Sequence, residues 1–225
     1  MIQAKNLMKS KPKKAIDQST EEKIKAAAYK LFTRKGYAGT RTRDIAEEAG
    51  INLALLNYYF RSKEKLFDLI MADNMKQFMF GIFAIANDEK TGYEDKITRI
   101  VNAYIDMLTV QPDMPIFVLS EIRYDPGGLI EKMKLDSTVM HSYFVKQLKQ
   151  AIEAGEIEPI NPLQILMNIL GLTIFPFIGS PLLKKIGGMA DDQFTGMMQE
   201  RKKMIPIWIK EMLKRSSTGL AIFLT

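Results

Sequence analysis

The side chains best suited to chemistry crowd into residues 40–67, TRTRDIAEEAGINLALLNYYFRSKEKLF, and the chemistry they suit is recognition, not bond making. Arg43, Tyr58 and Lys63 carry donors for phosphate oxygens. Asn52, Leu53, Ala54 and Asn57 fall where base edges in a major groove would be read, with Thr42 beside Arg43 at the start of the stretch. Phosphate contacts position a protein on a duplex, and groove contacts specify the sequence. Outside this stretch the chain is poor in reactive groups, with a single histidine, His141, and no cysteine. No Ser-His-Asp set, phosphate-cradling Gly loop or carboxylate–histidine metal pair can be assembled around His141 at recognisable spacing. The sequence therefore predicts no catalytic residue, no metal ligand and no cofactor.

The recognition residues need two short helices joined by a tight turn to hold them. Ile45, Ala46 and Ala49 repeat at helical spacing, and Gly50 follows them, where a left-handed residue ends a helix at low cost. Thr40 or Thr42 is expected to cap the first helix. Ile51 is expected to turn back into a small core and Asn52 to cap a second helix over residues 53–60, with Tyr59 and Phe60 used for packing. A brace comes earlier in the chain. Ser19 with Glu22 forms a capping-box pattern, Ile24, Ala27, Ala28, Leu31 and Phe32 make an inward face, and Gly36 closes the helix. Three helices give the bundle in which such a motif is held rigid.

The same residues resemble the DNA-binding signature of the TetR-type transcriptional regulators. The chain has Thr42, Arg43, Asp44, Ile45 and Ala46, then Ala49, Gly50, Ile51 and Asn52, then Leu56, Asn57, Tyr58, Tyr59 and Phe60, and finally Ser62, Lys63, Glu64, Lys65 and Leu66. These match the family's opening, turn, recognition helix and start of helix four, in order and without gaps. Asn52 stands for the usual Ser and keeps the cap, whereas Asn57 stands where a Tyr is common and Leu55 where the family is often small or polar. The resemblance covers the first third of the chain. It implies an all-α protein whose N-terminal bundle binds a palindromic operator in double-stranded DNA, and whose larger helical domain binds an effector and dimerises.

Charge divides the chain in a way that fits. Residues 1–65 hold 15 Lys and Arg against 7 Asp and Glu, a net of +8, which leaves 17 against 19, or −2, for residues 66–225. A polyanion-binding module joined to a near-neutral one has this asymmetry. Part of the excess, Lys5, Lys9, Lys11, Lys13 and Lys14, belongs to a basic arm at residues 1–18, which reads equally as a solvated tail. No apolar stretch of signal-peptide length follows that arm, so a cytoplasmic location is expected.

The rest of the chain reads as helical throughout, with no strand-like alternation and no internal repeat. Hydrophobic residues make up 47% of the 225, enough to bury a sizeable core. Ser62 caps a long helix to about residue 86, with Leu66, Phe67, Ile70, Met71 and Phe78 as its buried stripe and Phe80 near a pocket. Helices are expected at about 93–110 and 115–124, then a turn at residues 125–128, then one long helix over 129–154 that carries His141. Pro162 opens the next helix; its apolar run is shorter than the ~20 residues a bilayer needs and is interrupted by Asn168 and Pro176, so no membrane partner is expected. The last helix spans about 191–214, with Pro206 expected to kink it. The domains expected are thus the arm at 1–18, a DNA-binding domain at 19–65 with its motif at about 41–60, an effector-binding and dimerisation domain at 66–215, and an apolar tail at 216–225.

Two further sites follow from this reading. Tyr104, Met107, Phe117, Tyr124, His141, Phe144 and Phe175, with Asn168 as a polar contact, are assigned to an apolar effector cavity, because Met and Phe with few fixed charges suit an adaptable pocket. Leu163, Met167, Leu170, Ile174, Met197, Ile205, Trp208 and Met212 are assigned to a homodimer interface built from the last long helices, as the resemblance implies. By spacing alone, all of these residues serve equally as core. The function expected is a DNA-binding repressor released by a small apolar or amphipathic effector. The rivals are a helical binding protein or enzyme whose basic end only aids solubility, and a non-specific DNA binder.

Overall fold

The computed structural model of the chain describes residues 18–124, 126–133 and 139–214. Among them are eleven α-helices and no strand beyond an isolated bridge between Ile157 and Lys214. The basic arm and the apolar tail expected from sequence lie outside the described residues. Two compact units divide between Phe67 and Asp68.

The first unit holds α1 (Gln18–Gly39), α2 (Thr42–Glu48), α3 (Leu53–Tyr59) and the start of α4 (Lys63–Ala86). Helix α1 is already helical at Gln18, one residue ahead of the expected Ser19 cap, and is broken at Gly36, where φ is 68°. Its inward face, Ile24, Ala27, Ala28, Leu31 and Phe32, is buried together with Ile45, Ala46, Leu56, Phe60, Leu66 and Phe67. Phe32, Tyr37 and Phe67 pack ring against ring, with centroids 4.8–6.1 Å apart. Thr40 does not cap α2. Its buried hydroxyl shares its proton between the carbonyls of Gly36 at 2.8 Å and Leu31 at 3.3 Å, while Arg41 occupies the N-cap position without a side-chain cap. Thr42 is the first helical residue and makes no cap either.

The second unit contains α5 (Tyr93–Val110), α6 (Met114–Tyr124), α7 (Pro126–Met133), α8 (Tyr143–Glu153), α9 (Pro162–Ile178), α10 (Ser180–Gly187) and α11 (Asp191–Leu213). Helix α5 is central and packs on α11, α9 and α8 through Ile97, Ile100, Val101, Tyr104, Ile105 and Leu108. Ion pairs from Lys202 to Asp106 and from Lys210 to Glu94 tie α11 to α5. Pro176 removes a backbone N–H inside α9, so the Leu172 carbonyl lacks its helical partner; Arg201 of α11 supplies one at 2.9 Å. Helix α11 runs on through Pro206.

The expected turn at 125–128 and long helix at 129–154 are not found. Pro126 opens α7, because its missing N–H and fixed φ suit the first turn of a helix. Ser142 then caps a separate α8, accepting from the Val145 N–H, so His141 lies in the turn ahead of α8 and not mid-helix. The loop before α5 is held by Lys96, whose ammonium is buried and donates to the carbonyls of Asp88 and Thr91 and to the Thr91 hydroxyl. By length and composition α4 is apolar enough to cross a membrane. One side of it, including Met71, Met75, Met79 and Ile82, is buried within the chain itself.

Candidate DNA interface and ligand cavity

Helix α2 ends in a Schellman arrangement: the Gly50 N–H donates to the Glu47 carbonyl and the Ile51 N–H to that of Ala46 at 2.9 Å. This geometry needs the left-handed backbone that Gly50 adopts, with φ 67°. The chain reverses within residues 49–52, and Asn52 caps α3 by accepting from the Leu55 N–H at 2.8 Å. Leu56 is completely buried, Leu53 and Tyr59 are half-buried, and Phe60 closes the inner face. Ala54, Leu55, Asn57 and Tyr58 are left pointing outward, Tyr58 with 63% of its surface exposed, and Asn52 is exposed beside them. A short helix thus keeps one face in the bundle and turns amide, phenol and small apolar groups to solvent.

Exposed cations stand on either side of α3 in the chain. Arg41, Arg43 and Arg61 are exposed. Lys30 and Lys35 instead pair with Glu48 and Asp44 of α2, locking α2 onto α1. The Lys35 hydrogen bond holds the Asp44 carboxyl below its ordinary range, and the Lys30 hydrogen bond does the same for Glu48. Lys63, assigned from sequence to a phosphate contact, donates to the carbonyls of Tyr37 and Thr40 at 2.9 and 3.1 Å and sits 4.0 Å above the Tyr37 ring. It closes the broken end of α1. The sequence offered no signal for that, since the path of the chain after the break at Gly36 is what brings the Tyr37 and Thr40 carbonyls to Lys63.

In the second unit a cavity of about 490 Å³ lies between α4, α5, α6, α8 and α9. That is within the ~300–1,000 Å³ usual for small-molecule sites. Tyr104, Met107 and Phe144 line it as assigned from sequence. Phe117 is buried but does not line it, Asn168 is half-buried away from it, and Phe175 and His141 are exposed and lie outside it. Phe175 turns outward because α9 presents Leu163, Leu166, Leu170, Ile174 and Ile178 to the cavity, a set rotated from Met167 and Phe175. The side chain of Tyr124 lies outside the described residues. Met75, Met79 and Ile82 of α4 were missed as lining, although Met71, Met75 and Met79 recur every four residues and so mark one helix face. Phe80, expected near the pocket, is 78% exposed.

The residues assigned to a dimer interface divide three ways. Leu163, Leu170 and Ile174 line the cavity, although Leu163 also remains partly exposed. Ile205 is completely buried in the chain's own core, which corrects its assignment to a surface, and Met197 is half-buried. Met167, Trp208 and Met212 are exposed, and with Phe175 and Met204 they form apolar rows along α9 and α11.

A bundle that projects a capped, seven-residue helix after a four-residue turn, amid exposed arginines, is a helix-turn-helix DNA-binding domain. Residues 24–70 match the family described as bacterial regulatory proteins, tetR family. Similar proteins include "Probable HTH-type transcriptional regulator YttP" of Bacillus subtilis, 25% identical over 211 residues that cover 90% of this chain and 98% of that one. "HTH-type transcriptional repressor NicS" of Pseudomonas putida is 44% identical over 137 residues, 61% of this chain and 63% of the relative. The crystal structure of the transcriptional regulator FadR from Bacillus subtilis in complex with stearoyl-CoA has the same fold, with a TM-score of 0.52 at 18% identity, over 82% of this chain and 97% of that one. Residues 24–70 thus carry the DNA-binding domain of that family, and the chain is similar to HTH-type transcriptional regulators along most of its length.

Proposed function

We propose that this regulator is a cytoplasmic homodimeric repressor that binds a palindromic operator and is released by an apolar or amphipathic effector held in the cavity of its second unit. The observation that carries the reading is the outward face of α3, where Asn57 and Tyr58 project beside Asn52 while Leu56 fixes the helix from behind. In this reading Asn52, Leu53, Ala54 and Asn57 meet base edges, and Arg43, Tyr58 and Thr42 meet the backbone. Lys63 contributes by holding α1 and α4 in register, because most of its donor capacity is already engaged.

A pair of such heads is needed, since a helix of two turns spans too few bases to select an operator, and symmetric pairing gives two half-sites about 34 Å apart or a multiple of it. The exposed rows on α9 and α11, Met167 and Phe175 with Met204, Trp208 and Met212, supply the apolar surface for that pairing. The test is binding to the DNA flanking the protein's own gene, compared with random duplex at moderate salt and followed by a genome-wide selection. A clear preference for particular palindromes is expected. Equal affinity for all duplexes would leave a non-specific binder, and no affinity would leave a helical small-molecule-binding protein.

A further inference from the structure

The cavity has a chemical bias. Of its described lining residues only Tyr104 and Ser142 carry polar side chains, and none is charged. Ser142 is already engaged, since its hydroxyl donates to the Val139 carbonyl at 2.7 Å and accepts from the Val145 N–H. Tyr104 is different. Only 8% of its surface is exposed, its ring meets Phe78 edge-on at 4.8 Å, and its hydroxyl has no hydrogen-bond partner among the described residues. A phenol is both donor and acceptor, and this one opens onto the cavity. Buried tyrosine hydroxyls usually find a partner, and here the place for one is the cavity.

We propose that the effector is an uncharged molecule with an aliphatic body and one hydrogen-bond acceptor, a ketone, ester or lactone carbonyl, which receives the Tyr104 hydroxyl proton. This deepens the reading of the cavity as the effector site and depends on it. The surrounding methionines and aliphatic side chains take the body. A carboxylate could accept the same proton but, like an ammonium, would find no opposite charge in the lining, and the desolvation cost of the bare charge disfavours it. Burial also pushes the Tyr104 phenol up to about 12, so it remains a donor throughout the physiological range.

The test uses the full chain and three nine-carbon probes, 2-nonanone, n-nonane and nonanoate, titrated at neutral pH by calorimetry and followed by thermal stabilisation. The ketone should bind more tightly than the alkane, and nonanoate should bind more weakly than the ketone. In Tyr104→Phe, which keeps the ring and its contact with Phe78, ketone affinity should fall by about three- to tenfold, the range of one net hydrogen bond. Alkane affinity should not change, which also shows that the variant folds. The infrared carbonyl stretch of the bound ketone should sit at lower frequency in the parent chain than in the variant. If no probe binds, the cavity is not an effector site and the broader reading fails. If ketone and alkane bind alike in both chains, or nonanoate binds as well as the ketone, the cavity stands and the proposed ligand class is wrong.

Discussion

Two of the three ammonium hydrogens of Lys63 go to the carbonyls of Tyr37 and Thr40, and its charge lies over the Tyr37 ring. Lys63→Ala removes both charge-assisted hydrogen bonds and the contact with the ring, and is therefore expected to lower stability by about 1–3 kcal/mol, as read by thermal melting. Arg43 is exposed and should behave in the opposite sense. In Arg43→Ala, stability should hold while affinity for every duplex falls together and the salt dependence flattens by about one unit of slope, near 0.9 per phosphate contact. Asn57→Ala should instead relax preference at one operator position, by about 1–3 kcal/mol of discrimination. Uniform weakening by Asn57→Ala, or a loss confined to one base pair for Arg43→Ala, would overturn this division of labour.

Between the helices, the exposed pairs Lys35–Asp44 and Lys30–Glu48 make the packing of α2 on α1 sensitive to acid. Both carboxyls are held below the ordinary 3.8 and 4.5, so the unfolded chain binds more protons over that range. The stability they add is present above pH about 4.5 and is lost as the pH falls through their folded values. The double variant Asp44→Asn with Glu48→Gln should lose less stability than the parent between pH 6 and pH 3, measured by denaturant titration at each pH. Gly50→Ala isolates a different effect: no heavy atom lies within 4 Å of the added Cβ, so the left-handed backbone alone sets the penalty, about 1–2 kcal/mol. The motif was legible because its determinants are local: a Gly at the αL position, an Asn cap one turn from the Leu55 N–H, and apolar residues at helical spacing. The α7–α8 break was not legible from the apolar pattern, which continues through it; the local signal is Ser142 as a cap, and Pro126, expected in a turn, instead opens α7. Cavity residues were only partly readable because a helix apolar on most sides, such as α9, does not declare which side faces a void, as the outward turn of Phe175 shows.

At the scale of the whole molecule, the excess of +8 over residues 1–65 against −2 over the remainder draws the DNA-binding unit to a polyanion while leaving the second unit free to pair and to bind a neutral ligand. If pairing uses the rows on α9 and α11, then Met167→Lys with Phe175→Lys, or Trp208→Glu with Met212→Lys, should give folded monomers with little operator affinity. A variant that stayed dimeric in sedimentation would remove this interface. The division between units falls within α4, a single helix from Lys63 to Ala86 whose Met75, Met79 and Ile82 line the cavity. An effector seated there touches the same helix that Ser62 caps beside the reading head, by accepting from the Lys65 N–H. Such a ligand controls DNA binding only to the extent that it prefers one state of α4, since equal affinity for both states shifts nothing. Typical coupling of about 1–3 kcal/mol corresponds to a 5- to 150-fold loss of operator affinity, and linkage requires DNA to weaken the ligand by the same factor. Measured with 2-nonanone on free and operator-saturated dimer, the two factors should agree; an affinity unchanged by operator would show that the cavity is not the control site.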